Sequence, residues 1–150
     1  MSENPGVSGG PTVGEVIKRE GARPYRYSVD LGPGLAMRLS GSIPDGVTLG
    51  LLVHPPHPSG HGYLELEAEG YERQPIKFDR DRPRYFMANA THIEFGPFGH
   101  SWRKPSHAAI FSAEGQLLFY GELYQRTAPA SDAAPNWIAF EPKSVRAEVR

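Results

Sequence analysis

Tyr25, Tyr27, Val29 and Leu31 alternate with Arg26, Ser28 and Asp30, so a strand here gathers the apolar side chains on one face. The same period of two returns at Leu35, Met37, Leu39 and Ile43, and again over Tyr63–Ala68. Turn chemistry closes these runs: Gly32-Pro33-Gly34 after the first, Pro44-Asp45-Gly46 after the second. No long segment carries a helical period. With 17 Gly and 15 Pro in 150 residues, a helical bundle is excluded and alternating strand-helix units are disfavoured.

Other strands follow from composition. Val47–Val53 is a nearly continuous apolar run and reads as a central strand. Ile76–Phe78, Thr91–Phe95, His107–Phe111, Gln116–Leu123, Trp137–Phe140 and Val145–Val149 are further candidates. Pro75 marks a strand start or an edge. Ala113-Glu114-Gly115 supplies a hairpin turn, with Gly115 free to take a positive φ. Segments 54–62, 79–84 and 127–136 read as loops. About ten short strands with a turn every eight to twelve residues point to an all-β fold, an antiparallel β-sandwich or flattened barrel. Residues 21–150 form its single domain. Residues 1–20 form a flexible N-terminal arm, of which residues 1–11 are rich in Gly, Pro and Ser. In that arm Thr12 and Glu15 have capping-box spacing ahead of Val16 and Ile17.

Composition excludes several functions. There is no cysteine, which removes disulfides, thiolate catalysis and thiolate-bound zinc. Net charge is −1, too small for a field that recruits nucleic acid or an anionic membrane. The opening residues lack a basic, then apolar, signal pattern, and no apolar run approaches the roughly 18 residues of a membrane span. The expected setting is a cytoplasm. Basic residues are mostly Arg, 12 against 4 Lys, a type suited to bidentate ion pairs.

Chemical motifs are sparse. His54, His57 and His61 could ligate a metal, but prolines and glycines separate them, and ligands need rigid supports. An exposed loop is the expectation, with no metal and no cofactor. Glu65, Glu67 and Glu69 lie along one strand run. Glycoside hydrolysis needs two carboxylates across a cleft, so a solvated face is the plainer reading. No nucleophile elbow, phosphate loop or HExxH motif is present. Trp102 and Trp137 suit a sugar platform or a sandwich core. Arg80, Arg82 and Arg84 could grip an acidic partner, although Asp79 and Asp81 offset their charge. The residues expected at a partner interface are Val13, Val16, Ile17, His57, Arg80, Arg82, Arg84 and Trp102.

The stretch Gly70–Leu123 carries a family likeness. Val47–Val53, the Gly-Tyr-Glu-Arg-Gln-Pro segment within Gly70–Phe78, Asn89–Phe95, Trp102, Ser106–Phe111 and Leu117–Leu123 occur in an order that resembles a small β domain of tailed-bacteriophage virion proteins. The likeness spans about residues 45–150. Residues 1–44 depart from the pattern, and Ala134-Pro135-Asn136 stands where a Gly-Asp turn is usual. The resemblance implies a tail-fibre, tail-tip or capsid-accessory component with no catalytic residues. The short chain has no heptads and no fibre repeats, which favours a capsid decoration (cement) protein over a fibre. The expected partners are the major capsid protein or other virion proteins and further copies of the chain, a trimer among the forms considered. The virion is the expected location. The arm would order against a neighbouring subunit. A glycan-binding tail module and a cell-wall-sugar hydrolase are the alternatives.

Overall fold

The computed structural model describes residues 24–33, 43–57, 62–81, 86–99, 102–129 and 136–148. Among the described residues there are eleven strands and no helix. In chain order they are β1 (Tyr25–Pro33), β2 (Thr48–His54), β3 (Leu64–Glu65), β4 (Gln74–Pro75), β5 (Phe78–Asp81), β6 (Phe86–Asn89), β7 (Ile93–Phe98), β8 (His107–Phe111), β9 (Leu117–Thr127), β10 (Asn136–Phe140) and β11 (Val145–Glu148).

The strands form one mixed sheet with the order β3-β2-β8-β9-β1-β11-β6-β5; β10 pairs with β1 and β7, and β4 with β2. The sheet does not close into a barrel. β9 joins its two wings, pairing with β8 over Leu117–Glu122 and with β1 over Phe119–Thr127. One wing is β2, β3, β4 and β8; the other is β1, β5, β6, β7, β10 and β11. Leu49, Leu51 and Ile110 of the first share a core with Tyr25, Val29, Phe95, Ile138, Phe140 and Val145 of the second. The arrangement is sandwich-like. Each large apolar side chain buried this way contributes about 1.5–3 kcal/mol.

The alternation in β1 is realised as expected: Tyr25, Tyr27, Val29 and Leu31 are buried. The run at β2 is buried on both faces because a second cluster, Leu52, Ala109, Phe111 and Leu117, lies on its outer side under Tyr63 and Tyr120. The Ala113-Glu114-Gly115 turn forms, with Gly115 at φ 89°.

Several expectations are corrected. The sheet is not purely antiparallel: β1 runs parallel to β10, Tyr25 opposite Ile138, and to β11, Val29 opposite Val145. Gly32 and Pro33 extend β1 instead of turning, because Phe119 and Tyr120 give them a partner strand. Asp79, Arg80 and Asp81 are not loop residues; they lie in β5, paired with β6. The run at Tyr63–Ala68 yields only the two-residue β3. Ile76 and Lys77 fall between β4 and β5, and the strand expected at Thr91 starts at Ile93. The arm with Val13, Val16 and Ile17, the run Leu35–Leu39, and His61, Arg82, Arg84 and Val149 lie outside the described residues.

Asn89 ties β6 to the junction of β10 and β11. Its Nδ2 donates to the carbonyls of Thr91 and Glu141, both at 2.9 Å, and its Oδ1 accepts from the Val145 amide at 2.9 Å. Its own carbonyl accepts from Lys143, which sits at φ 68°. Asn89 is 1% exposed, so Asn89→Ala leaves the buried Val145 amide without this partner and removes two further bonds to the carbonyls of Thr91 and Glu141. Its expected cost is about 2–3 kcal/mol, read as a lower urea midpoint at unchanged slope.

Candidate functional site

β2 pairs with β8 along one edge, but among the described residues its other edge meets only β3 and β4, with Leu52 opposite Glu65 and Leu49 opposite Gln74. The Leu51 amide lies in the gap between them. The Tyr71 hydroxyl fills that gap, accepting from Leu51 N at 3.0 Å, while the Leu51 carbonyl accepts from Leu66 N at 2.8 Å. The same hydroxyl donates to Glu65 Oε2. Arg73 then clamps Glu65 in a bidentate pair, Nε to Oε2 and Nη2 to Oε1, each 2.9 Å. Its guanidinium lies 3.6 Å from the centre of the Phe111 ring, and the Tyr71 ring stacks on Phe95 at 5.9 Å.

Two glycines make the cluster possible. Gly70 has φ 89°, which turns the chain back toward β2, and a Cβ there would collide with the Pro97 carbonyl. At Gly50 a Cβ would stand 2.8 Å from the Phe111 ring and 3.1 Å from Glu65 Oε2. Only a bare backbone lets the carboxylate come that close.

Burial, reinforced by the bond to Glu65, raises the Tyr71 hydroxyl well above the ordinary phenol range. The bond to Glu65 likewise raises Arg73. Glu65 is therefore not part of a solvated acidic face, as the spacing suggests; both its oxygens are engaged in closing a sheet edge. Tyr71→Phe removes the acceptor for Leu51 N and is expected to cost about 1–3 kcal/mol near neutral pH. Because the folded-state pKa is raised, the Tyr71 contribution is fully present below pH 10 and is lost as pH climbs above it. The stability gap between the native chain and Tyr71→Phe should thus narrow above pH 10 in denaturant titrations; a constant gap would refute the assignment.

Two surface clefts flank this framework. One, about 510 Å³, lies beside the cluster and includes Val53, Tyr63, Leu64, Glu67, Glu72 and Arg103 in its lining. The other, about 760 Å³, opens on the outward-facing residues of β1, β9 and β11 and includes Arg26, Tyr124, Arg126, Glu141, Lys143 and Arg146. There Arg126 Nε donates to Ser28 Oγ at 3.0 Å, and Arg26 faces Glu141 at 3.8 Å in an exposed, weak pair.

Of the residues expected at a partner surface, His57, Arg80 and Trp102 are among the described residues, and they lie on separate parts of the chain. His57 is exposed in the segment after β2, and His54 is exposed at the end of that strand. No group of three His, Asp or Glu residues able to hold a metal exists among the described residues. Arg80 belongs to β5. Trp102 is half-buried, edge-on to Tyr25 at 5.6 Å and 4.7 Å from Phe98, so its ring serves packing. Trp137 is buried in β10. His107 is half-buried in β8, bonded to Ser106 Oγ at 2.7 Å, and burial lowers its pKa.

Tyr71 and Arg73 stand inside the Gly-Tyr-Glu-Arg-Gln-Pro motif, but their joint hold on Glu65 is not apparent from spacing. Tyr124 and Arg126 carry no motif at all. Comparison with known proteins returned no matching family model, no matching curated protein and no matching solved structure.

Proposed function

We propose that the chain is a non-enzymatic structural component of a phage virion, a decoration protein bound to the outer surface of the head. One observation carries the reading. The residues of the virion-domain resemblance converge on one structural role, in which Tyr71 and Arg73 lock Glu65 against β2. In the same unit Gly70 abuts Pro97, and Phe95, Phe98, Ile110 and Leu118 share one core. A motif spent on closing a sheet edge describes a scaffold, and a scaffold acts through its surfaces. Glu65, the carboxylate a sugar-cleaving reading would place first, is bonded through both oxygens, whereas a general acid or nucleophile needs an oxygen aimed at substrate.

The test is localisation on purified particles from the source of the gene. Antibody raised against the chain should label the head surface evenly, and the chain should co-sediment with intact particles. Label confined to tail tips would replace this reading with the tail-module alternative. A chain absent from particles, or one that releases sugar from cell-wall material, would overturn it.

A further inference from the structure

Only two large hydrophobic side chains stand strongly exposed among the described residues: Leu64 at 56% and Tyr124 at 56%. Each lines one of the two clefts, and the clefts share no lining residue. Their charges are opposed. Around Tyr124 stand four cationic side chains, Arg26, Arg126, Lys143 and Arg146, against Asp30 and Glu141. Around Leu64 the Glu65–Arg73 pair is internally neutralised, which leaves Glu67 and Glu72 against Arg103. Each cleft therefore presents one apolar anchor inside a ring of charge, and the rings differ in sign. An apolar anchor with a charged rim is the usual make-up of a protein interface.

The clefts also lie on different wings of the sheet. One borders β3 and the edge of β2; the other spans β1, β9 and β11. A cleft with an excess of one sign pairs poorly with itself, because that excess would be brought together on desolvation. It can pair with the other cleft on a second copy.

We propose that copies of this chain associate head to tail, the Leu64 cleft of one docking on the Tyr124 cleft of the next. Such a contact is heterologous: it generates a closed ring, or an open row with one unused cleft at each end. The occupant of each cleft is thus a second copy of the chain. The inference concerns the isolated protein and stands apart from the virion reading.

Two variants test it, both altering exposed residues. Tyr124→Ser/Lys143→Gln disables the cationic cleft. Leu64→Ser/Glu67→Gln disables the acidic one. Circular dichroism first establishes that each variant keeps the native β spectrum. In sedimentation velocity at low salt the native chain should form oligomers, and raising NaCl from about 50 mM to about 500 mM should weaken them about tenfold. Each variant alone should be monomeric. An equimolar mixture should form a one-to-one dimer and nothing larger, since each variant retains the cleft the other lacks. The proposal is overturned if the native chain stays monomeric at low salt, if either variant alone still associates, or if the mixture does not pair. Should either variant lose the native spectrum, Tyr124→Ala and Leu64→Ala replace the pair, with the same mixture outcome required.

Discussion

The second wing of this molecule is held together through β1. One edge of that strand pairs with β9, and the other pairs first with β10 and then with β11. Its inward residues, Tyr25, Tyr27, Val29 and Leu31, line the core that both wings share. β1 thereby ties an early segment to the last strands described, and it does so by parallel pairing. Parallel strands need a long connection, and here almost the whole domain serves as that connection. The interval between β10 and β11 is bridged by the Glu141–Ser144 turn, which Asn89 pins from β6.

The opposite wing faces a different problem. β2 is buried on both faces yet, among the described residues, is covered along one edge only by two short strands. An unpaired amide in such a place is costly when buried and a template for aggregation when exposed. The chain answers with side chains: a tyrosine hydroxyl substitutes for a strand carbonyl, a glutamate holds the hydroxyl, and an arginine holds the glutamate. The same cluster sets the wall of the acidic cleft. The scaffold and the proposed contact surface are continuous there, and the net negative charge beside it comes from Glu67 and Glu72.

Legibility follows locality. His107–Phe111 has the bounds read from its residues, and the turns at Pro44–Gly46 and Ala113–Gly115 form where their residue types demand. β6 is not apparent from its residues, because Phe86–Asn89 lacks a clear alternation and becomes a strand only between β5 and β11. Asp79 and Arg80 look like loop residues by charge, yet β6 gives them backbone partners. Glu65 looks solvated because its neighbours Glu67 and Glu69 are; the side chains that engage it come from beyond the turn at Gly70.

The amino-acid sequence by itself determined that this chain is built of strands, that the turns at Pro44–Gly46 and Ala113–Gly115 fall where they do, and that one face of β1 is apolar. Those are properties of neighbouring residues and of the period of two. Only the tertiary structure decided that β1 pairs in parallel with β10 and β11, that Glu65 closes a sheet edge, and that Leu64 and Tyr124 stand exposed among opposite charges. Those depend on which distant segments share a ladder, and ladder partners are selected by burial across the whole sheet and not by any residue's neighbours.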